Sequence, residues 1–446
     1  MLTYELEKAT GVPLYEALYR CIRQDLWDGT LAVGQKLPSK RALAEHLKVS
    51  KITVEGAYGQ LLDEGYIRSA EKVGYFVEAG WQKSTKIDMI DLTANGPARF
   101  PFSVWSRLQR QVMLDMGEAL LAPLPNQGLF QLRQAIAAQL HQFRGMQVDP
   151  DNILIGAGTD FLYNLLIQLL GREPVYAVEE PGYGKIRQIY AAGGVRCIGV
   201  PMDSRGVLPE KLGDARVLHI SPSHHFPTGI ITDPKRRRAL LQWAKSAPDR
   251  WIIEDDYDTE FRFHAHPMAA MQTMSPERVI YMNTFSKTLA PSIRISYMVL
   301  PGALMRRFRQ ELGFYSCTVP SFEQHTLARF LAEGHFEKHI NRMRKFYKTR
   351  RNRVLGAISG CPAAHKMTVL EQNAGLHFLI RVDTQLSDPA LEAFCAEAGI
   401  RIRALGSYYH ETAPREDTHL LVVNYSGLSD EALARLEQTM TQLKPL

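Results

Sequence analysis

Between Asn152 and Lys287 the chain repeats one pattern: a short run of Val, Ile and Leu, a turn carrying a polar residue, then a helical stretch. The apolar runs lie in NILIGAG, PVYAVEEPGYG, VRCIGVPMD, RVLHISPSHHFPTG, WIIEDDYD and RVIYMNTFSK. Apolar runs separated by helices predict a mostly parallel sheet covered on both faces, because parallel strands need crossover connections. In such a sheet, reactive side chains gather in the loops after the strand ends. TDFLYNLLIQLL reads as a buried helix, too short to span a bilayer. After about residue 320 the pattern changes to a long charged helix and the strands GLHFLIRV and HLLVVNYSG, which predicts a smaller α+β lobe.

With 446 residues the chain exceeds one ordinary domain. The first 80 or so residues have a different grammar. Leu14, Leu18, Ile22 and Leu26 share one helical face. SKRALAEHLKV is a second helix with Ser39 as its N-cap, and SKITVEGAYGQLLDEG is a third that begins at Ser50 after a very short turn. YIRSAEKVGYFVEA reads as two strands around a turn, with Gly74 where a tight turn wants positive φ. Helix, helix, turn, helix and a two-stranded wing make a winged helix-turn-helix, whose third helix can enter a major groove. Lys36, Lys40, Arg41, Lys48 and Lys51 stand against one acid, Glu45, a local balance suited to phosphate contact. A small helical domain with solvated charges is the plainer reading of the same pattern. The boundaries expected are a head over 1–78, a linker over 79–91 and a body over 92–446, with a large lobe at about 110–320 and a small one at about 321–446.

Hydrophobic residues make up 45% and charged residues 22%, an ordinary globular balance. A net charge of +6 permits a nucleic-acid partner without requiring one. The five cysteines are far apart and form no CxxC pair, so neither a zinc ribbon nor a disulfide framework is expected, and no metal site is expected either. Reduced cytoplasm is the natural compartment, and no membrane partner is expected.

Each strand end of the body carries a different chemical piece. Gly156–Asp160 reads GAGTD and opens a helix, where free N–H groups can hold a phosphate, although such turns are common. Tyr183 could stack on a planar ring or cover the core. Asp255 and Tyr257 end an apolar strand; a buried carboxylate there needs a partner, either a ring nitrogen or a helix it caps. Lys287 has Thr284, Ser286 and Thr288 beside it and Arg294 seven residues on, a neighbourhood of hydroxyls and a guanidinium fork that suits a phosphate. KRRR at Lys235–Arg238 reads as solvated helix surface, as do Arg342, Arg344 and Lys345, with contact to flanking DNA as the alternative.

LPSKRALAEHLKVSKITVEGAYGQLLDEGYI resembles the GntR family of bacterial regulators, with Lys51 where that family usually has Arg. The resemblance implies phosphate contacts from Ser39, Lys40, Arg41, Ser50, Lys51 and Thr53, with Lys72, Gly74 and Tyr75 at the wing tip. Glu55 lies on the recognition helix, where it could accept from a cytosine amino group or repel phosphate. The body, from about 90 to 446, resembles fold-type I pyridoxal-phosphate enzymes of the aspartate aminotransferase superfamily. This implies that Lys287 carries pyridoxal 5'-phosphate (PLP) as a Schiff base, Asp255 pairs the ring nitrogen and Tyr257 bonds the ring hydroxyl. It further implies that Gly158, Thr159, Thr284, Ser286 and Arg294 serve the phosphate and that Tyr183 stacks on the ring. Head and body together resemble the MocR/GabR-type regulators, which implies a double-stranded DNA operator as partner and a homodimer of the domain-swapped kind.

Two positions depart from the enzymes. Phe226 stands in FPTG where an Asn is usual, with His224 and His225 just upstream and either able to help; His225 is taken as the cofactor contact. Val422 stands where an Arg would bind a substrate carboxylate, unless Arg381, Arg401 or Arg403 substitutes. The expectation is therefore a transcription factor that holds PLP and responds to PLP itself, an amine or an amino acid, with catalysis at most residual. The alternative is a working aminotransferase with an accessory head.

Overall fold

The strand Trp251–Asp255 lies near the middle of an eight-stranded sheet in a computed structural model that describes residues 2–4, 13–70, 73–78, 89–94, 96, 99–261, 263, 269–371, 375–410, 414 and 417–442. Its spatial order is Ile153–Gly156, Ser296–Val299, Val279–Thr284, Trp251–Asp255, Val217–Ile220, Tyr176–Glu180, Cys197–Asp203, Gly206–Val207. Pairing is parallel from Val279–Thr284 through to Cys197–Asp203, while Ser296–Val299 runs against both its neighbours. Alternate residues serve opposite faces, as the pleat dictates. Ile253 packs with Leu162 and Leu166 of the helix Thr159–Leu170, while Ile252 packs with Leu240 and Leu241 of the helix Pro234–Lys245. Each such fully buried aliphatic side chain contributes roughly 1.5–3 kcal/mol.

Strand Trp251–Asp255 also shows why an apolar strand runs into acids. Glu254 accepts from the backbone N–H groups of Met271 (3.0 Å) and Gln272 (2.9 Å). Asp256 meets Arg144 at 2.9 Å and accepts from Tyr281 at 2.7 Å. Asp255, between them, faces the other way.

A second sheet, in the order Met367–Leu370, His377–Val382, Leu420–Asn424, Arg403–Ala404, is antiparallel throughout. The 25-residue helix His335–Ser359 precedes it. Together they form the small α+β lobe. One pairing cuts across the expected linker: Ile90 and Asp91 pair in parallel with Ile400 and Arg401. The N–H of Ile90 donates to Gly399 and that of Leu92 to Arg401, both at 2.9 Å. The alternation of apolar Ile90 and Leu92 about Asp91 is a strand signal hidden in a short polar context. The chain divides into a unit ending at Asp88 and one beginning at Met89, and most of the expected linker, 79–88, lies outside the described residues.

The head has helices Leu14–Trp27, Lys40–Leu47 and Lys51–Asp63 and the antiparallel strands Ile67–Ala70 and Gly74–Val77. Leu18, Ile22, Leu43, Val54, Tyr58 and Leu61 form its core. Ser39 and Ser50 cap their helices, accepting from Ala42 at 3.2 Å and Thr53 at 3.1 Å. Lys48, at φ 54°, makes the sharp turn between them. Gly74 sits at φ 132°.

Candidate functional site

The body holds a cavity of about 720 Å³ at the ends of the parallel strands. Thr159, Tyr183, Asp255, Tyr257, Thr284, Ser286, Lys287 and Arg294 all line it. The chain separates these residues by more than a hundred positions, and the strand ends bring them together.

At one end, Gly158 (φ 91°) turns the chain into the helix Thr159–Leu170. The Arg294 guanidinium lies against that glycine: a Cβ on Gly158 would stand 2.1 Å from Nη2. Open N–H groups, a helix N-terminus and a guanidinium make an anion cradle. Ser286 adds a buried hydroxyl with no partner among the described residues. Thr284 is already engaged: its Oγ1 accepts from the N–H of Ser286 at 3.1 Å and meets Ser296 Oγ at 2.8 Å, so it caps the turn that carries Lys287.

In the middle, Asp255 accepts a hydrogen bond from Tyr163, and its Oδ2 lies 3.5 Å from Nε2 of His219. Among the described residues, its Oδ1 is buried without a partner. Burial pushes the Lys287 amine down to about 8, against the opposing pull of Asp258. Glu179 goes the other way: burial lifts it to about 8, although it accepts from the Ser221 N–H at 2.9 Å.

Tyr183, half exposed, packs edge-on against Phe226 with ring centres 5.9 Å apart. Phe226 meets Tyr408 and His377 in the same edge-on manner, at 5.3 and 5.1 Å. Val422 is buried behind them with Leu379, Leu405 and Leu420. Arg381, Arg401 and Arg403 are exposed and do not line the cavity, and Arg401 bonds Asp91 at 3.2 Å.

The two histidines separate. His225 is buried away from the cavity lining, with Nδ1 at 2.7 Å from Thr228 Oγ1 and Nε2 at 3.5 Å from Glu179, and burial drops it to about 3. It is thus a neutral partner of Glu179, not a wall of the cavity. His224 is also buried outside the lining, behind two residues that do line the cavity: its Nδ1 is 2.9 Å from Asp258 and 3.4 Å from the Tyr257 hydroxyl.

Sequence reasoning missed several members. Tyr163 and His219 hold Asp255, yet each sits in an apolar run that reads as core. Arg187 lines the cavity and pairs with Glu180 at 3.6 Å. Donor atoms of His224, Asp258 and His377 lie within 4.8 Å of one another, a set able to hold a cation where none was expected, since 153 residues separate the histidines. Arg237, read as surface, is buried and donates to the carbonyls of Thr232, Pro222 and Ala269, tying its helix to two loops.

On the head, Lys40, Arg41, Ser50, Lys51 and Thr53 cluster at the starts of two helices. Lys51 pairs with Glu55 at 3.4 Å, and Arg41 with Glu45 at 3.2 Å. Lys40 Nζ sits 5.3 Å over the Tyr75 ring, joining the second helix to the wing. Ile52, in the first turn of the third helix, is 79% exposed, an apolar contact that sequence reasoning passed over. Lys72 lies outside the described residues. Among the described residues no helix is long and apolar enough to cross a membrane.

Residues 14–77 match the family model for bacterial regulatory proteins of the gntR family. The chain is 34% identical to the HTH-type transcriptional regulator YdeL of Bacillus subtilis (strain 168), covering 96% of each. It is 31% identical to the HTH-type pyridoxine biosynthesis transcriptional regulator PdxR of Corynebacterium glutamicum, covering 88% of each. The body's fold is that of a kynurenine aminotransferase of Pyrococcus horikoshii, with a TM-score of 0.67 and 25% identity over 80% of this chain and 91% of that one. A winged head and an aminotransferase-like body in one chain, matched end to end by such regulators, place it in a family: the chain belongs to the MocR-type regulators of the GntR family.

Proposed function

We propose that this chain is a transcriptional regulator that holds PLP on Lys287 and converts occupancy of that cavity into a change in DNA binding. One observation carries the reading: Lys287, Asp255 and the Gly158–Arg294 cradle converge on a single cavity in a chain that also bears a DNA-binding head. The residues fit the cofactor. The unpartnered Oδ1 of Asp255 suits a protonated ring nitrogen, and the cradle suits a phosphate. When bound, PLP supplies an aldehyde that condenses with primary amines and a ring that withdraws electrons.

Every other role falls to the chain. Lys287, with its lowered proton affinity, holds a substantial neutral fraction near pH 7–8 and so serves as the nucleophile. Tyr163 and His219 fix Asp255; Tyr257, steadied by His224, lies beside the site for the ring hydroxyl. Phe226, Tyr183 and Tyr408 exclude water. Exposed Phe102, Leu114 and Leu121 near the start of the body support pairing with a second copy.

An absorbance scan of the purified chain with PLP tests this: a visible band that Lys287→Ala abolishes supports it, and an unchanged band sinks it. A gel-shift on the DNA upstream of its own gene, with and without PLP, tests the regulatory half. The second reading, a working aminotransferase, draws support from the same lowered Lys287 amine, which suits proton transfer. Turnover of an amino acid to its keto acid would favour it.

A further inference from the structure

The cavity's charges are already spoken for. Besides Lys287, its lining cations are Lys185, Arg187 and Arg294. Lys185 pairs with Asp160 at 2.6 Å and Arg187 with Glu180 at 3.6 Å. Arg294 also meets Asp160, at 3.6 Å, and stands at the anion cradle. Two carboxylates thus face three cations, and the surplus positive charge belongs to the cradle. His377 is buried against Phe226, with ring centres 5.1 Å apart, and belongs to the aromatic wall.

The aromatic wall offers no lysine or arginine. Phe226, Tyr408 and His377 form its surface, with Val422 and Leu379 packed behind. A carboxylate pressed there would lose its water without gaining a partner. Aromatic edges and faces instead suit an apolar or aryl tail. The amino group itself would be taken by the cofactor's aldehyde, which condenses with primary amines.

We infer that the effector of this cavity is a primary amine with an apolar or aryl tail and no carboxylate. This rests on the reading that PLP occupies Lys287. The step it implies is an exchange: the amine's nitrogen bonds the cofactor's aldehyde carbon as the Lys287 nitrogen leaves it, and the two protons lost by the incoming amine end on the lysine. Nothing is oxidised, and no water is consumed.

The test uses two probes that differ only by the carboxylate, phenethylamine and L-phenylalanine. The full chain is loaded with PLP, and each probe is titrated while the absorbance band is followed, with calorimetry as a second readout. Phenethylamine is expected to perturb the band and bind at least roughly tenfold more tightly, the scale on which an unpaired carboxylate is penalised. Equal or tighter binding of phenylalanine overturns the inference while leaving the cofactor reading intact, and so does a loaded protein that responds to neither. Absence of any band on loading overturns both. In Val422→Arg that still shows the band, the preference is expected to move toward phenylalanine; an unchanged preference for the amine removes Val422 from the account.

Discussion

The Arg294 guanidinium fills the space that a side chain on Gly158 would need. A Cβ there would come within 2.1 Å of Nη2, and the backbone is at φ 91°, which L side chains rarely adopt. Gly158→Ala is therefore expected to displace Arg294 and to weaken PLP binding by about tenfold or more, the effect of losing a charge-assisted contact. Equilibrium titration of PLP by absorbance checks this; affinity within twofold of the parent would show that the cradle does not hold the phosphate.

Asp255 has one oxygen bonded by Tyr163 and one without a partner among the described residues. Asp255→Asn keeps the shape but removes the charge that a ring proton would meet. Cofactor retention is expected to fall by roughly 2 kcal/mol, the size of a hydrogen bond to a charged group. Dialysis followed by measurement of the remaining cofactor provides the check.

The Lys287 amine is lowered to about 8 because burial disfavours its charged form. Neutral amine therefore accumulates as pH rises through about 8 rather than through the usual lysine range. Mixing the cofactor-free chain with PLP should give a band-formation rate that climbs between pH 7 and 9 and levels above. The same shift has a stability consequence of known sign: the folded state releases its proton earlier than the unfolded one, so this group costs stability below about 8, and the cost disappears as pH rises toward the unfolded value. A rate still climbing steeply at pH 10 would contradict the placement of this lysine.

Lys51 and Glu55 form an exposed pair on the third helix. Lys51→Ala is expected to weaken operator binding similarly across sequences and to lower the salt slope by about one. Glu55→Gln, which frees Lys51, is expected to strengthen non-specific binding. Filter binding over a range of salt measures both.

The sheet and the head were legible because their signals are local. Ile252 and Ile253 announce a strand buried on both faces, and Ser39 and Ser50 announce two helix starts. Lys287, Asp255 and Arg294 were legible because Asp255 closes one strand, Lys287 follows the next and Arg294 leads into an antiparallel third, and these ends share one crevice. What escaped was set by direction rather than position. Tyr163 and His219 sit in apolar runs, and only the helix's rotation and the strand's pleat aim them at Asp255. His224 and His225 are adjacent and alike, yet one turns toward Asp258 and Tyr257 and its neighbour toward Glu179, a choice that composition does not encode. The two-residue strand at Ile90 went unread because it gains its partners some 310 residues away, and a pattern that short is invisible without them.

That short strand has a mechanical consequence. Ile90, Asp91 and Leu92 are laced to the small lobe, and the carbonyl of Leu92 accepts from the N–H of Asn424, which lines the cavity. Gly96, a few residues on, reaches the cavity wall itself. The first strand of the body is therefore moored to the lobe that closes one side of the cavity, not to the strand end that bears Lys287. Any displacement of that lobe would therefore carry Ile90, Asp91 and Leu92 with it.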